Sequence, residues 1–468
     1  MRSLAALVLL ALLLLPLAPL ARGAPSEWRA RVLEERGVIT SVLGLENAPL
    51  LLVALYNHTL HVYRGLSLAR SLDIADYGYV IRMAHPSGSR VAVLGTSKGY
   101  VLLLDLDRLE ISGVHKVGDS KILLLDAAGE PPLVAVAIRR KLTVSGRRVD
   151  SEYLVVYNTS SREVVFYRGW ESRDRLAKVY KLKILGDRYL VLETLDKFCE
   201  LCEVIEGRLE IYDLETLELV YSRALGVSID MDVGDERTVV SVRRRLRAEG
   251  YTTMVHVLEL GEEIRELEYE LPVSPLSVEL LGEGRYALAC SKEGRYYVNV
   301  YNLRGGRLRS FQCDYKIVLL EESGGRLLVG GPGYLSAYSS KSLLWNLQLC
   351  VPALAPRAVG VYGGGRYAYA AYKDTLCLYE RRTFHRLVVR VLDPEGSPLS
   401  GAEIEVLEGE RLVAEGVTES GEAVFSLRAG TYTVRISAEG FETVEREVEL
   451  LRDSEIVITL KPPTVEKE

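Results

Sequence analysis

Amides are scarce in this 468-residue chain: it has six Asn, and Gln only at Gln312 and Gln348. Arg outnumbers Lys 44 to 14. Few thermolabile amides among many charges give a thermophile-like composition. A strong net charge is also missing. The 58 Lys and Arg against 64 Asp and Glu leave a formal −6, which argues against nucleic acid as a partner. Beyond residue 23 no apolar run is long enough to span a membrane, and helical periodicity is almost absent. The sequence holds no His-Glu-x-x-His, no phosphate loop, no Gly-x-Ser-x-Gly elbow and no nucleophile–base arrangement. The expectation is therefore a protein that is not an enzyme, with no cofactor and no metal. Its 48% hydrophobic content excludes intrinsic disorder.

What is there begins with a leader. Arg2 precedes an unbroken apolar run from Leu4 to Leu15, Pro16 ends it, and Ala21-Arg22-Gly23 places small residues at −3 and −1 of a cleavage site. This predicts a secretory signal peptide over residues 1–23, with a retained signal anchor as the alternative. A secreted, extracellular or cell-surface location follows. Outside the cytosol an even cysteine count suggests disulfides, and the candidates are Cys199, Cys202, Cys290, Cys313, Cys350 and Cys377. Cys199-Glu200-Leu201-Cys202 reads as a local loop, because a zinc site would want a second pair.

One unit recurs through most of the chain. Its third strand appears as Leu60-His61-Val62-Tyr63, Leu154-Val155-Val156-Tyr157, Leu209-Glu210-Ile211-Tyr212, Val298-Asn299-Val300-Tyr301 and Leu376-Cys377-Leu378-Tyr379. Val101 to Asp105, Val255 to Val257 and Leu335 to Tyr338 complete eight copies, spaced 37 to 55 residues apart. A second apolar strand precedes each copy, as in Leu51-Leu52-Val53-Ala54 and Tyr286-Ala287-Leu288-Ala289. That period suits a four-stranded propeller blade. The fold class is all-β: an eight-bladed β-propeller over residues 28–383, or a seven-bladed one if a unit is distorted. The last unit lacks room for an outer strand, so the segment from Trp28 to Glu35 is expected to supply it.

Gly330 to Trp345 resembles a pyrroloquinoline-quinone-type repeat, which implies a quinoprotein-like or YVTN-like propeller. From residue 386 the pattern changes. Asp393-Pro394-Glu395-Gly396, Pro398-Leu399-Ser400-Gly401-Ala402, Gly421-Glu422-Ala423-Val424-Phe425, Gly430-Thr431-Tyr432-Thr433-Val434 and Gly440-Phe441 follow one another. Apolar and polar residues alternate at 432–436, which marks half-buried antiparallel strands. This order resembles the carboxypeptidase regulatory-like domain, a prealbumin-like β-sandwich of seven short strands over residues 386–461, with 462–468 as a tail. The resemblance implies a non-catalytic module.

Two groups of residues could carry function. Hairpins between second and third strands are expanded at Arg139 to Glu152, Asp196 to Gly207 and Arg243 to Gly250. All such hairpins share one face with the connectors between blades, and binding residues concentrate on loops held by a rigid scaffold. The candidates there are Arg139, Arg140, Arg147, Arg148, Arg243, Arg244, Arg245 and Arg247, with Trp170, Arg173 and Arg175 on a nearby connector. The second group comprises Arg82, Lys181, Lys183, Asp230, Asp232 and Glu279, which fall within otherwise apolar innermost strands. Such charges must pair or face a wet channel. His58 and His61 read as ordinary turn and strand residues. The leading expectation is a secreted or cell-surface binding or scaffold protein that holds a protein or polysaccharide partner at the cell envelope. The alternatives are a channel-site enzyme of quinoprotein-like dehydrogenase or lyase type, and a purely structural envelope component.

Overall fold

Runs such as Leu50–Leu55 are apolar at every position, so a strand built from them must be covered on both faces. A computed structural model shows how this is met. It describes residues 28–463 apart from 36, 145–146, 170–175, 187, 198–204, 226–227, 235–236, 248–249, 262, 324–325, 339–342, 352–353, 355, 382–383, 429 and 451. The predicted signal peptide lies outside the described residues. Four-stranded antiparallel sheets succeed one another along the chain, each laid out in chain order from its inner strand except the last, whose outer strand is the chain's first described one. The inner strands are Ile39–Gly44, Val80–Ala84, Ile122–Ala128, Leu176–Leu185, Ser228–Gly234, Ser274–Leu280, Leu319–Ser323 and Ala358–Tyr362, and they number the blades 1 to 8. The all-β propeller read from the sequence is the fold observed.

Apolar cores lie between neighbouring blades. Leu52 and Leu60 of blade 1 meet Leu94 and Leu102 of blade 2, and Val240 and Val255 of blade 5 meet Val278 and Leu288 of blade 6. Leu50–Leu55 is buried along its whole length. Each fully buried side chain of this kind stabilises the fold by roughly 1.5–3 kcal/mol. The outer strand of blade 8 is Trp28–Glu34, beside Thr375–Arg381. Just beyond it, the Glu35 N–H donates to Asp374 O at 2.8 Å and the Ile39 N–H to Lys373 O at 2.8 Å. Leu51 and Val53 of blade 1 then share one core with Tyr362 and Leu378 of blade 8.

The expanded hairpins are not loops. Leu133–Val144 and Arg147–Asn158 stay paired to Val144 opposite Arg147. Tyr189–Lys197 pairs with Ile205–Asp213 out to Lys197 opposite Ile205. Thr238–Arg247 pairs with Gly250–Leu260 out to Arg247 opposite Gly250. Blades 3, 4 and 5 therefore extend as two-stranded ribbons on one face. Arg139 is in register with Glu152 across the first ribbon, and opposite charges at such cross-strand positions favour continued pairing.

From Arg381 the chain enters a second compact unit. Phe384–Leu392 lies between Glu422–Arg428 and Ser454–Thr459, and a four-stranded sheet is built from Arg411–Val417, Glu403–Glu408, Gly430–Ser437 and Val444–Leu450. The described strands are seven, the number expected, with Arg411–Val417 not read from the sequence. Gly430–Ser437 pairs antiparallel with Glu403–Glu408 and Val444–Leu450, as the alternation at 432–436 predicted, while Phe384–Leu392 and Ser454–Thr459 pair in parallel. Alternation decides which face is buried and not the direction of the neighbour. Leu387, Val389, Ile404, Tyr432, Val434 and Ile436 fill the core.

Cys350 and Cys377 form a disulfide, with Cα atoms 6.4 Å apart. Cys290 and Cys313 correct the sequence expectation, for both are buried free thiols. In blade 6 Cys290 is opposite Tyr297, and Tyr297 is opposite Gln312. Cys313 is one residue out of that row and so points to the other face of the sheet. Cys290 packs towards blade 5 and Cys313 towards blade 7. Burial pushes the two thiols up to about 12 and about 11, which leaves them protonated and inert. Cys199 and Cys202 lie outside the described residues. No helix among the described residues is long and apolar enough to cross a membrane.

Candidate functional site

The inner strand of each blade has a free edge towards the channel, and that edge carries unpaired backbone groups. In blades 1 to 6 this strand bulges at one place, just before Ser41, Arg82, Leu124, Lys181, Asp230 and Ser277. Two residues further on, blades 3 to 6 place Asp126, Lys183, Asp232 and Glu279. The carboxylates reach across to the next blade. Asp126 Oδ2 accepts the Ile184 N–H at 2.7 Å, Asp232 Oδ2 the Leu280 N–H at 2.8 Å, and Glu279 Oε1 the Glu322 N–H at 2.8 Å. Asp230 Oδ2 accepts the Val278 N–H at 2.9 Å and the Ser277 hydroxyl. Lysine cannot accept an N–H, so the step from blade 4 to blade 5 uses the reverse polarity. Lys181 Nζ donates to Met231 O at 3.3 Å and pairs with Asp230. Of the predicted channel charges, Lys181, Asp230, Asp232 and Glu279 thus join adjacent blades. Arg82 is exposed, with Nη1 3.3 Å from Ile81 O.

The same geometry sets the electrostatics. Lys183 and Glu321 are open to solvent at their surface yet crowded by neighbouring strands. Asp126, followed by further channel carboxylates, holds the Lys183 ammonium above its usual value. Burial lowers Lys181 and raises Asp126. Burial also pushes Glu321 up to about 7 and raises Glu279 well above the usual carboxylate range, with Asp232 adding repulsion. Lys183, Asp232, Thr238, Glu279, Arg285 and Glu322 line a cavity of about 420 Å³ beside this belt. Asp126 and Glu321 were not singled out from the sequence. Their signal is position, two residues past the bulge for Asp126, and a bulge is invisible until strands are paired.

On the ribbons, the described side chains of Arg139, Arg243, Arg244 and Arg245 differ in setting. Arg139 is half-buried and sits opposite Glu152. Arg140 is in register with Ser151, Arg148 with Thr143, and Arg147 with Val144 at the tip. In the middle ribbon Asp196 is in register with Glu206. Arg243 is already engaged, since it donates to Leu225 O at 2.5 Å and to Glu268 Oε1 at 2.6 Å. Glu268 also holds Arg223 at 2.6 Å, so Arg243 belongs to a latch between blades 4 and 5 and not to a free rim. Beside it burial, assisted by Arg223, pushes His256 down to about 4. Arg244 and Arg245 are exposed, with contacts to Pro275 O at 3.4 Å and Met254 Sδ at 3.7 Å. Arg247 faces Gly250 at the ribbon end. Trp170, Arg173 and Arg175 lie outside the described residues.

A further cluster went unread in the sequence. Glu35, next to the outer strand of blade 8, takes His61 Nδ1 at 3.0 Å and the Tyr63 hydroxyl at 2.6 Å. Burial alone would raise Glu35, but the bonds from His61 and Tyr63 outweigh it and hold the carboxyl below its usual value. His61 is therefore more than an ordinary strand residue.

Comparison with known proteins agrees with this architecture. The family model of the carboxypeptidase regulatory-like domain matches residues 386–461, the boundaries expected from the sequence. No curated protein matches the chain. Among solved structures, the computationally designed Ika8 protein is similar at a TM-score of 0.52 and 14% identity, over 74% of this chain and 97% of that one. BamB from Moraxella catarrhalis gives 0.47 and 14%, over 75% and 98%. At such identity the likeness to Ika8 is one of fold alone. The chain thus joins a β-propeller to a sandwich that matches the carboxypeptidase regulatory-like domain.

Proposed function

We propose that this chain is a secreted or cell-surface binding or scaffold protein, without enzymatic activity, whose ribbon-bearing propeller face holds a protein or polysaccharide at the cell envelope. The observation that carries the reading is the extension of three adjacent blades on that one face, with Arg244 and Arg245 exposed on the blade 5 ribbon. Rigid strands present these side chains better than loops would. The Cys350–Cys377 disulfide supports an oxidising compartment. The test is retention on dextran sulfate and capture of envelope extract by the immobilised protein. Arg244→Ser with Arg245→Ser should weaken both by about ten-fold, or about 1.4 kcal/mol. Undiminished retention would remove the ribbons from the site.

A second reading is favoured by one observation, the cavity of about 420 Å³ lined by Lys183, Asp232, Glu279 and Glu322. Converging polar groups in a concave site are what a channel-site dehydrogenase or lyase would use. Turnover of a quinone-linked or polyuronate substrate that disappears in Lys183→Met would favour this reading over the first.

A further inference from the structure

The ribbon-bearing face has a different surface on blades 1 and 2. The turn between the second and third strands of blade 1 carries Tyr56 and His58, and the connector to blade 2 carries Tyr77 and Tyr79. Tyr100 opens the third strand of blade 2. The Tyr56 and Tyr79 rings lie 4.6 Å apart at 41°, and His58 meets Tyr79 edge-on at 6.2 Å. Tyr77 meets Tyr100 at 5.5 Å. Tyr56 is 58% exposed, an unusual position for a large aromatic side chain.

The shelf is held rigidly. The Tyr56 N–H donates to Val38 O at 2.8 Å. Tyr79 is tied to Ser97 twice, by its N–H to Oγ at 3.2 Å and by its carbonyl from the Ser97 N–H at 2.9 Å. Gly78 between the tyrosines has φ +84°, and a Cβ there would collide with Ser97. Only glycine lets the connector lie this close.

We propose that Tyr56 and Tyr79 form a stacking subsite for an uncharged polysaccharide. The proposal rests on the reading of this face as a binding face and names a ligand class for blades 1 and 2. Aromatic faces suit the C–H faces of pyranose rings, and their polar edges suit a wet surface. Two observations choose the occupant. First, among the described large apolar side chains exposed on blades 1 and 2, Leu68 and Val114 lie on outer strands and only Tyr56 lies on this face. A protein hot spot is ordinarily ringed by further apolar contacts that exclude water; here the neighbours are exposed Asn57 and Asp76. Second, the nearby cations are exposed but already held by backbone carbonyls and a carboxylate. Lys98 Nζ donates to Ala75 O at 3.0 Å and Asp76 O at 3.2 Å. Lys116 Nζ donates to Lys98 O at 2.7 Å and lies 4.4 Å over the Tyr100 ring. The exposed Asp76 and Asp119 carboxylates, the latter 3.7 Å from Lys116 Nζ, offset these two charges, so the shelf has no net charge to select an acidic sugar.

The test is affinity electrophoresis of the full chain in gels containing dextran, a soluble mixed-linkage β-glucan or yeast mannan, with dextran sulfate capture run in parallel. At least one neutral gel should retard the protein. Tyr56→Ala and Tyr79→Ala should each weaken that retardation by about ten-fold, while Tyr56→Trp keeps it. Dextran sulfate capture should be unchanged in Tyr56→Ala, which separates failure of this subsite from failure of the ribbon reading and shows the variant folded. Unretarded migration in all three gels, or retardation that survives Tyr56→Ala, overturns the proposal. So does a protein partner whose capture needs Tyr56 when no neutral gel retards the chain.

Discussion

Blades 3 to 6 and blades 8, 1 and 2 build the same four-stranded sheet around different interiors. In blades 3 to 6 the inner strands carry Asp126, Lys181, Lys183, Asp230, Asp232 and Glu279, and carboxylates accept backbone N–H groups of the next blade. At the bulge position blade 1 has Ser41 instead, and its contact to blade 2 is the Thr40 hydroxyl on Val80 O at 2.7 Å. Blade 8 meets blade 1 through tyrosines, with the Tyr362 hydroxyl on Gly65 O at 2.8 Å, and through the Glu35 clasp. Repeat stability is a sum of neighbour interfaces, so each interface is free to use its own chemistry. The charged half tolerates a wet channel, because its acceptors already satisfy strand edges. The other half uses apolar packing and cross-links.

The largest effect that would break this comparison is on the covalent side. The Cys350–Cys377 bond closes a loop across 27 positions, so its loss should cost about 3–4 kcal/mol. Urea midpoints of Cys350→Ser with Cys377→Ser, followed by hydrogen exchange, should show loosening confined to blade 8. An unchanged midpoint would refute the assignment.

Next comes Asp230→Ala. It leaves the Val278 N–H without its charged acceptor and Lys181 without its partner, and should cost about 2–3 kcal/mol. Ser41→Ala at the same bulge position of blade 1 should stay within about 0.5 kcal/mol. Equal losses at the two positions would erase the distinction between the halves.

Glu35→Ala should cost about 1–2 kcal/mol by releasing His61 and Tyr63. The clasp also has a pH signature. A carboxyl held below its usual value stabilises the fold above the unfolded pKa, 4.5 for Glu, and that contribution is lost as pH falls through the lower folded value. Glu35→Gln should blunt the acid-side loss in thermal melts.

The channel has the opposite sign. Glu321 moves from 4.5 to about 7 on folding, so the folded chain binds more protons than the unfolded one across that window. Stability should therefore fall as pH rises from 4.5 to 7, and Glu321→Gln should flatten the slope. A slope that the variant leaves intact places the titration elsewhere. Smallest of all, Arg244→Ser with Arg245→Ser should shift stability by no more than about 0.5 kcal/mol, since both are exposed.

Much of the fold was readable because burial on two faces demands unbroken apolar strands. Tyr286 to Ala289 and Leu51 to Ala54 announce blades without any partner being known. The sandwich was equally clear from its turn glycines and alternation. The candidate site was less so. Arg243 looks like its neighbours in sequence, yet Arg244 points to the opposite face of the strand, and Arg243, which shares its face with Arg245, is the one bonded to Glu268. Tyr56 and Tyr79 are 23 positions apart and belong to different blades, so no local pattern pairs them.

Local composition and period determined the all-β class, the recurring unit, the borrowed strand from residue 28 onward and the regulatory-like sandwich, because these depend on which faces a segment must bury. Tertiary structure alone decided the strand bulges, the carboxylate links between blades, the paired state of the ribbons, the separation of Cys290 from Cys313 and the tyrosine shelf. Each of these depends on register between distant strands, where a shift of one residue moves a side chain to the opposite face.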